Sequence, residues 1–127
     1  MKALLDTHAF LWAIAEEGKL SRRAQQIDTS SNDFWLSITR VWEILIKVRM
    51  GKLLPPDPVG TSLTKELAKN RIEVLPIQLD HMLKTESLPL HHRDPFDRLL
   101  IAQSIEEGWP IITSDPWFAH YPIDVIW

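Results

Sequence analysis

A chain of 127 residues, 45% hydrophobic and 24% charged, has the profile of one globular domain spanning residues 1–127, with a substantial core and no room for a second. The absence of cysteine excludes disulfides, thiolate nucleophiles and sulfur-ligated zinc or iron–sulfur centres, so any metal must be held by oxygen or imidazole. A formal net charge of −3 supplies no field to draw in nucleic acid, and no segment approaches the roughly 20 apolar residues that cross a bilayer, so a cytoplasmic protein without membrane partners is expected.

Ala3-Leu4-Leu5 is a short apolar run that stops at Asp6, and Thr7 to Ile14 follows as a helix with Phe10, Leu11 and Ile14 at helical spacing. Leu20 to Ile27 predicts a second short helix capped by Ser21, and Phe34-Trp35-Leu36 a buried strand. From Thr39 to Met50 the spacing of Val41, Trp42, Leu45, Ile46 and Val48 predicts a long helix with Glu43 in its first half. Gly51 is placed to end it in a left-handed conformation. The prolines between Leu53 and Pro58 predict a turn, after which Asp57 caps a helix that has Pro58 at its first position and runs to about Asn70.

Ile72 to Ile77 predicts a strand, Asp80 the cap of a short helix around Met82 and Leu83, and Leu88 to Arg93 a polar loop bearing His91 and His92. Asp94 and Pro95 open a helix over Phe96 to Glu107 that is apolar almost all round, which predicts burial, and Gly108 followed by Pro110 ends it. Ile111-Ile112-Thr113 is the clearest strand, Asp115 and Pro116 follow it, and Ile123 to Ile126 offers a last strand. Strands alternating with helices of this length predict an α/β fold: a parallel sheet of four to five short strands between two helical layers. In such sheets the functional crevice lies beyond the carboxyl ends of the strands, where Asp6 and Asp115 stand.

Four carboxylates deserve comparison with their simpler explanations. Asp6 and Asp115 stand where helix caps stand, and Asp94-Pro95-Phe96-Asp97 resembles a capping box with proline at the first helical position. Glu43, with Arg40 three residues before it and Lys47 four after, fits an exposed ion-pair stripe. Taken together, however, Asp6, Glu43, Asp97 and Asp115 fall where a parallel sheet brings its elements to one edge. Carboxylates gathered in that way repel one another and must take up protons or hold a cation. A set of hard oxygen ligands without cysteine suits Mg²⁺ or Mn²⁺, and with them phosphate chemistry.

The runs Leu4-Leu5-Asp6-Thr7-His8, Val41-Trp42-Glu43-Ile44 with Lys47 and Gly51-Lys52-Leu53, Asp94 to Gln103, and Ile112-Thr113-Ser114-Asp115 resemble those of PIN-domain ribonucleases, most of all the VapC-type toxins of toxin–antitoxin pairs. The resemblance runs from Leu4 to Trp127. It implies a three-layer α/β/α fold and an acidic quartet at Asp6, Glu43, Asp97 and Asp115 that binds Mg²⁺ or Mn²⁺. It further implies hydrolysis of RNA leaving 5′-phosphate and 3′-hydroxyl ends, a VapB-like antitoxin laid across the acidic cleft, and a toxin homodimer. Thr113 matches a hydroxyl position that supports the family's site, and Asp94 either joins the site or caps its helix.

Other functions compete with this one. His91-His92 with Arg93 could serve a metal-free ribonuclease using histidine acid–base catalysis, although a solvated loop explains them more simply. His8 is expected to be structural. Trp12, Trp35 and Trp42 lie in apolar elements and are expected in the core or a subunit interface, whereas Trp109 and Trp117 are the tryptophans expected to face a substrate. A haloacid-dehalogenase-like phosphatase is disfavoured by His8 where its second Asp is needed, and a receiver domain by Pro116 after Asp115. The serious alternative is a domain of the same fold that binds RNA or protein without cutting it.

Overall fold

The computed structural model describes residues 2–15, 21–25, 33–51, 59–91 and 94–127. Five parallel strands, β1 (Lys2–Leu5), β2 (Asp33–Ser37), β3 (Ile72–Leu75), β4 (Ile111–Ile112) and β5 (Val125–Ile126), form one sheet in the order β3-β2-β1-β4-β5. The register pairs Ala3 with Phe34, Phe34 with Ile72, Leu5 with Ile112, and Ile112 with Ile126. The chain therefore builds outward from β1 in one direction and then returns to build outward in the other. The carboxyl ends of β1 and β4 flank the point where strand order reverses, the place where such sheets open a crevice.

Strands covered on both faces read as near-continuous apolar runs, and apart from Lys2, Asp33, Ser37 and Glu73 these strands do. Ala3, Leu5, Phe34, Leu36, Ile72, Ile112 and Ile126 point to one face, where α1 (Thr7–Ala15), α3 (Ile38–Arg49) and α4 (Val59–Lys69) add Ala9, Phe10, Ile44 and Leu63. Leu4, Leu75 and Ile111 point to the other, where α6 (Pro95–Glu107) contributes Leu100, Ile101 and Ala102 and the 3-10 turn at Pro116–His120 contributes Phe118. The short helix α2 (Arg22–Gln25) begins after Ser21, whose hydroxyl accepts from the backbone N–H of Ala24. Helix α5 (Leu79–Ser87) packs on α6.

Among the described residues the expected strands and α-helices come in the expected order, and the 3-10 turn at Pro116–His120 is an addition to them. Gly51 and Gly108 both follow helices with positive φ, +74° and +72°, the conformation for which glycine has no side-chain penalty. The turn assigned to Leu53–Pro58 and the Asp57-Pro58 cap lie outside the described residues. One cap differs from expectation. Gln78, not Asp80, stands at the cap position of α5, because the buried ring of His81 accepts the Gln78 backbone N–H at Nδ1 (3.0 Å), while Asp80 accepts from the N–H of His81 inside the first turn. Trp42, expected in the core or a subunit interface, is not in the core: 60% of its surface is exposed, and its ring meets Phe96 in a T-shaped contact. Trp109, offered with Trp117 as a substrate contact, is half-buried and packs against Trp35 with its ring centre 5.2 Å away.

Candidate active site

Asp6 is the first residue past β1. Its backbone N–H is tied to the Ile112 carbonyl at 3.0 Å, so the sheet itself fixes where the side chain begins. Its Oδ1 accepts the N–H of Thr7 at the start of α1, which satisfies one of the free donors at that helix end. Its Oδ2 accepts the hydroxyl proton of Thr113 at 2.7 Å. Both oxygens are thus oriented before any ligand arrives.

Glu43 comes from the second turn of α3. Ser37 caps that helix, its Oγ accepting the Thr39 N–H, and the resulting register turns Arg40 and Glu43 inward together. Glu43 is buried, not part of an exposed stripe: Thr7 donates its hydroxyl to Oε1 at 2.6 Å, and Lys47 lies 3.4 Å from the same oxygen. Asp97 comes from the first turn of α6, where Asp94 accepts the N–H groups of Phe96 and Asp97 and so performs the capping role expected of it.

The three acids meet on Arg40, which is 1% exposed. Its Nη1 donates to Glu43 Oε2 at 2.8 Å, and its Nη2 lies 2.5 Å from Asp97 Oδ1 and 2.9 Å from Asp6 Oδ1. Burial works against the Arg40 charge, but the fields of Asp6, Asp97 and Glu43 outweigh it and hold its pKa above the ordinary value. For Asp97 the balance runs the other way. Burial raises its pKa above the usual carboxylate range, and Arg40's opposing pull does not cancel this, with Asp94 and Asp6 adding to the rise.

Asp115 arrives by another route. Its backbone N–H donates to Thr113 Oγ1 at 3.1 Å, and its Oδ1 caps the 3-10 turn by accepting the Trp117 N–H at 2.9 Å. Thr113 is therefore a hinge pin between Asp115 and Asp6, joining the ends of β4 and β1 through one hydroxyl. The structure brings Asp6, Glu43 and Asp97 onto one cation and links Asp115 to them through Thr113.

Arg40 is the residue that sequence reasoning undervalued. Its spacing from Glu43 was visible, but an i, i+3 ion pair on a helix is ordinarily solvent-exposed, and only the sheet topology shows that Asp6 and Asp97 close over it. The donor set, all carboxylate and hydroxyl oxygen, has the chemistry of a hard divalent cation site. Among the described residues, however, no three acidic or histidine side chains stand ready to hold an ion directly, because the three carboxylates are turned on the guanidinium. His8 stacks on Trp12 and His91 lies against His120 and Tyr121, so neither is drawn into the cluster; His92 lies outside the described residues.

The sequence is similar to Ribonuclease VapC22 of Mycobacterium tuberculosis, with 28% identity over 113 residues that cover 88% of this chain and 85% of that protein. The fold is similar to that in crystal structures of VapBC from Salmonella typhimurium bound to DNA (TM-score 0.75, 19% identity, 98% of this chain and 96% of that one) and of VapBC2 from Rickettsia felis bound to a promoter fragment (TM-score 0.74, 16% identity, 98% and 97%). The PIN domain family model matches residues 3–124, from β1 to the threshold of β5, and with the parallel sheet and its switch-point acids it places this chain in the PIN-domain family.

Proposed function

We propose that this protein is a metal-dependent endoribonuclease that hydrolyses RNA phosphodiester bonds and acts as the toxin of a toxin–antitoxin pair. The observation that carries the proposal is the convergence of Asp6, Glu43 and Asp97, from three separate elements, on one buried positive charge at the sheet's switch point. Similarity to a protein named a ribonuclease supports the substrate class.

In this proposal Asp6, Glu43, Asp97 and Asp115 hold Mg²⁺ or Mn²⁺, and a bound ion of this kind supplies an activated water and neutralises charge on the phosphate. The rest of the work falls to the chain. Thr113 and the Thr7 N–H fix the two oxygens of Asp6, so this carboxylate meets its ligand without reorganising. Thr7 and Lys47 fix Glu43 at Oε1, leaving Oε2, now on Arg40, as the oxygen that faces the centre. Asp97 sits in the first turn of α6, where the helix N-terminus favours its ionised form against the effect of burial.

A VapB-like antitoxin is the proposed partner, in keeping with the VapBC complexes that share the fold. A homodimer and a cytoplasmic location belong to the same proposal, and no described helix is long and apolar enough to cross a membrane. The test is cleavage of a total RNA pool by purified protein with Mg²⁺ or Mn²⁺, beside EDTA and Asp6→Asn controls. Cuts with 5′-phosphate ends, lost in both controls, are expected. Cyclic-phosphate ends that survive EDTA would overturn the metal mechanism, and RNA binding without cleavage, indifferent to Asp6→Asn, would favour the non-catalytic alternative.

A further inference from the structure

We propose that Arg40 is the resident cation of the acidic site, with which a divalent ion exchanges instead of binding beside it; this rests on the metallonuclease proposal and adds a control on it. Arg40 Nη2 is within 2.9 Å of Asp6 Oδ1 and 2.5 Å of Asp97 Oδ1, and Nη1 is 2.8 Å from Glu43 Oε2. An ion bonded to the same Asp6 and Asp97 oxygens at about 2.1 Å would claim the space that Nη2 fills and would face a full positive charge across it. In this proposal the ion takes those oxygens only as Nη2 leaves them.

An independent feature of the side chain shows how Arg40 is held. Its Nε is buried and has no hydrogen-bond partner. A guanidinium has five donors, and a buried donor left without an acceptor opposes the conformation that buries it. The carboxylate charges, not complete hydrogen bonding, keep Arg40 where it is. When a divalent ion neutralises Asp6 and Asp97, that hold weakens and the orphaned Nε favours departure. The site is then self-closed at low metal and opens as metal rises, with Lys47 remaining on Glu43 in both states.

Two measurements test the exchange. In ¹⁵N spectra of the unaltered protein, the Arg40 Nε–H resonance, identified by its loss in Arg40→Lys, should shift and exchange faster with water as Mg²⁺ is added. An unmoved resonance at saturating Mg²⁺ would overturn the proposal. In calorimetric titration with Mn²⁺, Arg40→Gln should bind about tenfold tighter or more, because a like charge has left the site, while Arg40→Lys should stay close to the unaltered protein. Equal or weaker binding by Arg40→Gln, with the unaltered protein binding normally, would reduce Arg40 to a structural counter-ion and leave the metallonuclease standing. No binding by any of the three would overturn the metal site itself. Should Arg40→Gln fold only when Mn²⁺ is present, the ion would be shown to replace the missing charge, and the Mg²⁺ spectra of the unaltered protein would decide independently.

Discussion

Thr113 and Asp6 are 107 residues apart in sequence, yet the hydroxyl of one donates to the carboxylate of the other at 2.7 Å, and the same oxygen accepts the Asp115 N–H at 3.1 Å. One side chain thus sets the spacing of the two acids at the switch point. Thr113→Val keeps the shape and removes both bonds, leaving the Asp115 N–H without that acceptor. The expected result is a loss of about 2 kcal/mol in urea denaturation and a fall in RNA cleavage of roughly ten- to a hundredfold, since the orienting partner of a metal-binding carboxylate is gone. Thr113→Ser should recover most of both. Full activity in Thr113→Val would mean that β1 and β4 alone place the acids.

Asp97 leads to a prediction in the opposite direction. Because burial raises its pKa in the folded protein, the folded state binds that proton more tightly than the unfolded chain does. By linkage, the stability Asp97 contributes is fully present below the ordinary Asp value of about 3.9 and is lost as pH rises through the raised folded value. Asp97→Asn, which mimics the protonated form, should therefore raise the melting temperature at pH 7 in EDTA and abolish cleavage. Its advantage should vanish near pH 4. A variant less stable than the parent at pH 7 would show that the Arg40 pair outweighs the burial of Asp97.

His81 makes a third case, remote from the acids. Its ring is fully buried, accepts the Gln78 N–H at Nδ1 and meets Glu107 at Nε2 (2.8 Å). Since Nδ1 is an acceptor, the proton belongs on Nε2, where it is donated to Glu107. Gln103, beside this ring, accepts the hydroxyl of Ser37 at 2.5 Å, and Ser37 caps the helix that carries Arg40 and Glu43. His81→Ala should cost about 3 kcal/mol by leaving a cavity and unpaired polar groups at the junction of α5 and α6. Cleavage per folded molecule should persist. Loss of cleavage without loss of stability would instead place His81 in the reaction.

The sheet was legible because parallel strands covered on both faces are nearly continuous apolar runs that stop at polar residues opening the next helix or turn, as Leu5-Asp6, Leu36-Ser37 and Ile112 with Asp115 do. Asp6 and Asp115 were legible by position for the same reason. What local pattern could not show is which polar residues the fold would bury. Arg40, and Glu43 taken singly, read as surface charge because helical spacing reports only their own helix, and their burial depends on elements that bring up Asp6 and Asp97, 34 and 57 residues away from Arg40. The cap of α5 was misplaced by two residues because a histidine ring took the part usually played by a carboxylate. Trp42 shows the reverse: helical spacing fits a core or an interface position alike, and the residue stands on the outside.

That exposure yields the last prediction. Trp42 keeps 60% of its surface exposed and meets Phe96 edge-on, ring centres 5.4 Å apart. Trp35 is half-buried, packed on Trp109 with the ammonium of Lys2 over both rings. Truncating an aromatic in a packed setting costs about 3–5 kcal/mol, whereas a single edge contact is worth about 1 kcal/mol. Trp35→Ala should therefore unfold at much lower urea than Trp42→Ala, which should lie within about 1 kcal/mol of the parent. Repeating both at several protein concentrations adds a second reading. A monomer gives a Trp42→Ala cost that does not change with concentration; a cost that grows as the parent is concentrated would mean that a second copy covers this face of α3, since only association can make stability depend on the amount of protein present.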